Sequence, residues 1–378
     1  MSRIKVLHVV PTFNDCSITR IVQNIIEHLG TEEYDWVVVG PEPAEMADVY
    51  EKLGAKAQLY SFDASVGHNR SKMDQAKALK GYITEHNSDI VHTHTPTTTI
   101  LTWLATGLKP GFKRMYTKHL LTNPGDRKWG WIYTLVDRIS LYQTELLVPV
   151  SKTMSQLLLN YPGLNSKNMQ PVQNAINHNY FYAPEEREAC RAEFGLAPDQ
   201  VLFGFAGRLE KMKRLDLMLE GFVDVHKKHP EARLLIAGVG SLEQELKDYA
   251  TNLGVSEGVI WAGWRSDIPR LLAAFDVYVQ SSVNEGLSLS LLEAMAATKV
   301  AVGTDVGGIH EIIEDHKTGI IIPPYDIKAL ANAMNEMIEN PDLRLQIGQT
   351  AREFVDKHFS VARMTSDYDR LYHQLVNK

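Results

Sequence analysis

The sequence predicts an α/β protein of two consecutive doubly wound parallel-sheet domains, and three observations carry that prediction. Short β-branched runs alternate with longer segments of helical periodicity, the pattern of parallel strands covered by helices on both faces. The alternation pauses near Gln173-Asn174-Ala175-Ile176-Asn177 and restarts with a new strand at Val201. At 378 residues the chain is too long for one ordinary core and fits two domains of about 180 residues each.

In the first half, strands are expected over residues 4–10, 34–39, 90–93, 114–117 and 146–150, with helices over 18–29, 73–86 and 129–142 among the segments between them. The polar stretch that runs to Tyr182-Ala183-Pro184-Glu185-Glu186 reads as a linker. Beyond it, strands are expected over 201–206, 232–238, 259–261, 277–280, 299–303 and 319–322, with helices over 215–229, 242–253 and 268–275. Ligands in such sheets bind beyond the carboxyl ends of the strands, so two facing domains would enclose a cleft.

Composition bounds the function. The chain is 44% hydrophobic and 22% charged, as soluble globular proteins are. No apolar run approaches the roughly 18–20 residues that span a bilayer. The N-terminus reads as a first strand rather than a signal peptide. Two cysteines, Cys16 and Cys190, suggest neither a disulfide framework nor a cysteine metal site, so a cytoplasmic location is expected. A net charge of −7 argues against nucleic acid as a partner.

The densest chemistry lies in Asn284-Glu285-Gly286-Leu287-Ser288-Leu289-Ser290-Leu291-Leu292-Glu293. Gly286 breaks the pattern, and Leu289, Leu292 and Ala296 then recur at helical spacing, so a helix is expected to start near Ser288. Its free N–H groups would suit a diphosphate, with Glu285 near the reacting group and Glu293 deeper. A surface glutamate and an ordinary helical one would give the same spacing. Gly207-Arg208-Leu209-Glu210-Lys211-Met212-Lys213 follows another strand of the same domain and should open on the same sheet edge. Arg208 and Lys213 could then both reach a phosphate, although a solvated basic turn reads alike. Ile236-Ala237-Gly238-Val239-Gly240 ends a strand in a Gly-x-Gly turn, but Glu243 stands where a nicotinamide fingerprint needs glycine. A close backbone approach to a nucleotide remains open there, as does a plain turn.

His92, His94 and His119 fall at or just after strands of the first domain, where an imidazole could bond a polar substrate. The His-x-His spacing also hints at a metal, with no carboxylate cluster beside it. Between Lys109 and Arg138, basic residues (Lys113, Arg114, Lys118, Arg127, Lys128) interleave with Trp129, Trp131 and Tyr133. This stretch could touch anionic lipid headgroups, or be a basic helix with core aromatics.

Taken together these pieces resemble the family 4, or group 1, retaining glycosyltransferases of GT-B architecture, two Rossmann-like domains facing a cleft. The resemblance rests on Asn174-Ala175-Ile176-Asn177 before Phe181, Gly207-Arg208-Leu209 with Lys213, and Ala237-Gly238-Val239-Gly240. It continues through Gly263-Trp264, Asp276-Val277-Tyr278-Val279, the Glu285–Glu293 element, Val306-Gly307-Gly308-Ile309, then Gly319, Pro323 and Asp326. It implies a first domain over 1–176, completed by a C-terminal helix over 360–378, and a nucleotide-sugar domain over 177–359.

The resemblance also implies roles. Arg208 and Lys213 would neutralise the donor diphosphate, and Ser288 and Leu289 would offer it backbone N–H groups. Glu293 would bind the ribose hydroxyls, and backbone at Gly238, Trp264 and Arg265 would meet the nucleotide. Glu285 and His119 would hold the donor sugar. No cofactor or metal is implied, since Arg and Lys carry the charge work. The donor would be a nucleotide-diphosphate sugar, with UDP the commonest nucleotide in the family and GDP and ADP left open. The acceptor would be a glycan or lipid-linked glycan of cell-surface polysaccharide, with peripheral contact at the inner membrane face. Family members often carry Gly-Gly after the first strand; here Asn14, Ser17 and Ile18 occupy that region, and with His94 they are the acceptor-side candidates. A nucleotide-sugar epimerase of similar architecture, or a non-catalytic nucleotide-sugar binder, would share the diphosphate site.

Overall fold

The computed structural model describes residues 3–41, 45–59, 62–63, 68–69, 71–107, 110–120 and 130–377. The chain divides into two compact units. One is Met1–Asn174 with Val361–Lys378; the other is Ala175–Ser360.

The first unit contains strands β1 (Ile4–Val9), β2 (Tyr34–Gly40), β3 (Lys56–Leu59), β4 (Phe62–Asp63), β5 (His68–Asn69), β6 (Ile90–Thr93), β7 (Lys113–Lys118) and β8 (Leu146–Pro149). Six of them form a sheet ordered β3-β2-β1-β6-β7-β8, and β4 and β5 form a separate antiparallel pair. Every pairing in the large sheet is parallel. Helices therefore cover both faces, and β1 and β2 are almost entirely buried apolar runs. The helix Val361–Val376 buries Met364, Tyr368, Leu371, Tyr372 and Leu375 along one side. It is tied to the unit by Tyr34, which donates to Asp369 at 2.5 Å, and by Arg363, which donates to the Gln173 carbonyl at 2.7 Å.

The second unit contains β9 (Leu202–Ala206), β10 (Arg233–Ala237), β11 (Val259–Gly263), β12 (Val277–Gln280), β13 (Val300–Thr304) and β14 (Ile320–Ile322). Their order is β11-β10-β9-β12-β13-β14, again all parallel. The core runs through Phe203, Phe205, Val277, Val279, Phe222 and Met334. In each sheet the strand order reverses between two central neighbours: β1 and β6 in the first, β9 and β12 in the second. Such a switch point leaves a crevice beyond the strand ends, where successive connections depart to opposite faces.

The expected strands form within one or two residues of their predicted limits. β3 and the β4–β5 pair were not foreseen, because Lys56-Ala57-Gln58-Leu59 lacks the β-branched run that marks a buried strand. The helices Ile327–Glu339 and Pro341–His358 also complete the second unit beyond the predicted elements.

Candidate functional site

The loops carrying Arg208, Lys213 and Glu285 leave β9 and β12, the two strands flanking the switch point of the second sheet. Glu285 is 6% exposed. Its Oε1 accepts from Lys213 Nζ at 2.7 Å and from Gln280 Nε2 at 3.1 Å. Its Oε2 has no partner among the described residues. Gln280 Oε1 in turn accepts from Ser288 Oγ at 2.8 Å and Ser290 Oγ at 3.1 Å. Ser288 caps the helix Leu289–Ala296 by accepting from the Leu291 N–H. One side chain at the end of β12 thus orients both the carboxylate and the helix cap. Gln280 was missed in the sequence, where a glutamine at a strand end carries no chemical signature.

Lys213 is fixed through its backbone: Ser281 Oγ donates to the carbonyls of Lys213 and Arg214 at 3.0 and 2.8 Å. Arg208 is exposed, and its guanidinium has no partner among the described residues. Lys213 faces Glu285, whereas the Arg208 charge is left uncompensated among the described residues. Glu293 lies half-buried on the second turn of the capped helix, and Leu289 opens that helix.

Two glycines set the geometry. A Cβ on Gly238 would stand 1.9 Å from the Gly207 carbonyl oxygen, so the turn after β10 supports the Arg208 loop by direct backbone approach. A Cβ on Gly307, at φ +56°, would stand 1.8 Å from the Glu285 carbonyl oxygen. The Gly308 N–H donates to the Gly286 carbonyl beside it at 3.0 Å. Gly307→Ala should therefore displace Glu285 and lower turnover about a hundredfold, since a shift near 1 Å costs that much at a reacting centre. Steady-state kinetics on the folded variant, with circular dichroism as the fold check, reads this directly.

In the first unit, His119 follows β7 and is partly exposed. Its Nε2 lies 3.4 Å from His94 Nδ1. His94 is not available to an acceptor as expected: it is 1% exposed, and its other nitrogen lies 3.0 Å from His8 Nδ1. His92 is likewise internal, between Tyr372 and Thr117. Burial pushes the His8 imidazole down to about 3 and also lowers that of His119. It holds His92 and His94 well below the usual range, with repulsion from neighbouring histidines adding to it. All four are neutral near pH 7.

Ser17 and Ile18 form the first turn of the helix Ser17–Leu29 rather than a loop, while Asn14 is exposed before it. Thr19 organises this glycine-free connection: its Oγ1 accepts from the Cys16 N–H at 2.9 Å and lies 2.8 Å from the Asn14 carbonyl. Trp264 is 69% exposed, and the Arg265 side chain is held by Glu193 and Asp267, each at 2.6 Å. That leaves backbone as the means by which Arg265 would meet a ligand. Of the basic aromatic stretch, Lys109, Arg127, Lys128 and Trp129 lie outside the described residues. The Asp-x-Asp run Asp367-Tyr368-Asp369 is helical, its carboxylates paired with Arg363, Arg370 and Tyr34. Among the described residues, His8/His92/His94 and Glu33/Asp369/His373 bring nitrogen or oxygen ligands close enough together to hold an ion.

Residues 186–354 match the family described as glycosyl transferases group 1, and residues 18–180 match glycosyltransferase family 4. EpsD of Bacillus subtilis (strain 168), a proposed glycosyltransferase, is 30% identical over 305 residues, covering 78% of this chain and 79% of EpsD. The Escherichia coli UDP-Gal:alpha-D-GlcNAc-diphosphoundecaprenol alpha-1,3-galactosyltransferase is 23% identical over 389 residues, covering 100% of this chain and 99% of that protein. The crystal structure of Anabaena HepE in complex with UDP matches with a TM-score of 0.82 at 18% identity, covering 98% of this chain and 100% of HepE. With its two six-stranded parallel sheets and a family match over each half, the chain belongs to the group 1, family 4 glycosyltransferases of GT-B architecture.

Proposed function

We propose that this glycosyltransferase moves a sugar from a UDP-sugar to a glycan or lipid-linked acceptor of cell-surface polysaccharide, with retained anomeric configuration and no metal ion. The observation that carries the reading is the cluster at the β9–β12 switch point. There a buried carboxylate paired with Lys213 lies beside a capped helix N-terminus, and the loop bearing Arg208 leaves the neighbouring strand. HepE, similar in fold, has been captured with UDP and with UDP-glucose. The E. coli relative is named for a UDP-Gal donor and a diphosphoundecaprenol-linked acceptor.

The diphosphate would sit over the N–H groups at Ser288 and Leu289, with Arg208 and Lys213 beside it. Those cations stabilise the leaving UDP, the charge work a divalent ion would otherwise do. Glu293 would accept from the ribose hydroxyls, and backbone at Gly238, Trp264 and Arg265 would meet the nucleotide. Glu285 would accept from sugar hydroxyls through Oε2, because Oε1 is committed to Lys213 and Gln280. That commitment suits electrostatic positioning better than nucleophilic attack. The acceptor oxygen then bonds to the anomeric carbon on the face that the phosphate oxygen leaves. The departing phosphate takes the acceptor's proton. The resemblance also assigns His119 of the first unit a contact to the donor sugar.

Among the described residues no helix is long and apolar enough to cross a membrane. Contact with the cytoplasmic membrane face would be peripheral. It is supported by Leu135, Ile139 and Tyr142, 50%, 37% and 49% exposed and flanking Arg138.

The test incubates the chain with a panel of nucleotide sugars and acceptor extracts, with and without chelator, following free nucleotide and anomeric configuration. UDP release that requires acceptor, survives chelation and yields a product of retained configuration is the expected result. Isomerised sugar without acceptor would assign an epimerase, and tight binding without product a binder; either outcome overturns the proposal.

A further inference from the structure

We infer that His8, His92, His94, Thr117, Tyr368 and Tyr372 form a one-way hydrogen-bonded relay that fixes His119 as its Nδ1–H tautomer, a donor and not a base. The parallel register pairs His8 with His92 across β1 and β6, and Thr117 lies on β7. The C-terminal helix lays Tyr368 and Tyr372 against them. From His119 Nε2 the chain of contacts runs 3.4 Å to His94 Nδ1 and 3.0 Å from His94 Nε2 to His8 Nδ1. It continues 3.5 Å from His8 Nε2 to the Tyr372 hydroxyl and 2.9 Å onward to His92 Nδ1. It ends with 2.7 Å from His92 Nε2 to Thr117 Oγ1 and 3.1 Å to the Tyr368 hydroxyl.

A neutral imidazole has one N–H and one lone pair, so each ring passes on the sense it receives. The sense is set at the buried end. Tyr368 is fully buried, and Thr117 is its hydroxyl's only hydrogen-bond partner among the described residues. A buried O–H with no acceptor is costlier than an unfilled lone pair, so Tyr368 donates to Thr117. The Thr117 proton must then go to its other contact, His92 Nε2. His92 Nδ1–H donates to the Tyr372 oxygen, and Tyr372 donates to His8 Nε2. His8 Nδ1–H donates to His94 Nε2, and His94 Nδ1–H to His119 Nε2. The remaining proton of His119 stands on Nδ1, which has no partner among the described residues.

The six residues are positioning residues for His119, and their importance for catalysis rests on the reading of His119 as a contact of the donor sugar. The nitrogen pattern is read without substrate, so it stands or falls apart from that contact, which His119→Asn turnover tests separately. In the full chain with 15N-labelled histidine, nitrogen shifts at pH 7 should show all four rings protonated at Nδ1 and bare at Nε2. An Nε2–H form or an imidazolium at any of the four overturns the relay.

Tyr372→Phe removes the hydroxyl that must donate to His8. The three rings beyond it should then relax toward the Nε2–H form that free imidazole prefers, and a second His119 tautomer should appear. Thr117→Val releases the chain from the other end and serves if Tyr372→Phe does not fold. A His119 that stays wholly Nδ1–H in the folded variants overturns the relay. Zinc added to chelator-treated protein should leave the four resonances in place. Stoichiometric uptake that replaces the pattern would make the His8, His92 and His94 cluster a metal centre instead.

Discussion

Glu285→Gln should lower turnover about 10²- to 10³-fold, the loss typical of one electrostatic contact to a developing charge. Its melting temperature should stay within roughly 3 °C of wild type, because the amide oxygen can still accept from Lys213 and Gln280. Lys213→Ala should lose as much activity and also stability. Glu285 is buried, and removing its cation leaves the carboxylate without the charge that holds it. Breaking a buried pair on one side costs about 3–5 kcal/mol, or on the order of 10 °C for a unit of this size. Lys213→Met combined with Glu285→Gln should recover most of the lost melting temperature and none of the turnover. That contrast separates catalysis from folding at a site where the same pair serves both. Near-normal turnover in Glu285→Gln would remove Glu285 from the chemistry altogether.

The two α/β units and the Glu285 turn were legible because their signals are local. Gly286 and the capping Ser288 sit within three residues of each other, and they placed the helix start within a residue of Leu289. The meeting of Lys213 with Glu285 spans 72 residues. Only the topological rule that successive connections open on one sheet edge brought the two together in advance. Gln280 escaped notice because its role exists only once β12 ends beside the helix cap. His94 was placed on the acceptor side because strand-end histidines usually face a crevice, whereas here two other buried rings, His8 and His92, stack on it inside the fold. His8 and Tyr372 are 364 residues apart, and nothing local links a histidine in an apolar strand to a tyrosine in an amphipathic helix. Where the family pattern has Gly-Gly, Thr19 holds this connection through its side chain, accepting from the Cys16 N–H and donating to the Asn14 carbonyl.

Acid should unfold the first unit before the second. In the unfolded chain its histidines bind protons near pH 6.5, while in the fold burial holds His8 to about 3 and His92 and His94 well below 6.5. Between those values the unfolded state binds more protons than the native one, so stability falls as pH falls. The contribution is complete above about pH 6.5, and each buried ring then costs about 1.4 kcal/mol per pH unit. His8 alone would remove about 2 kcal/mol by pH 5, and His92 and His94 act in the same direction. No histidine of the second unit is buried to this degree, so it lacks this route to acid unfolding. Trp36, fully buried and stacked on Tyr34 with its ring 5.8 Å from His8, reports on the first unit. Trp261, half-buried against the core of the second unit, reports on that one. Fluorescence of single-tryptophan variants through an acid titration should show Trp36 released at the higher pH. His8→Asn, provided it folds, should move that transition toward lower pH by removing one titrating ring. Coincident release of both units in wild type, with no shift in His8→Asn, would mean that the histidine cluster does not govern acid stability.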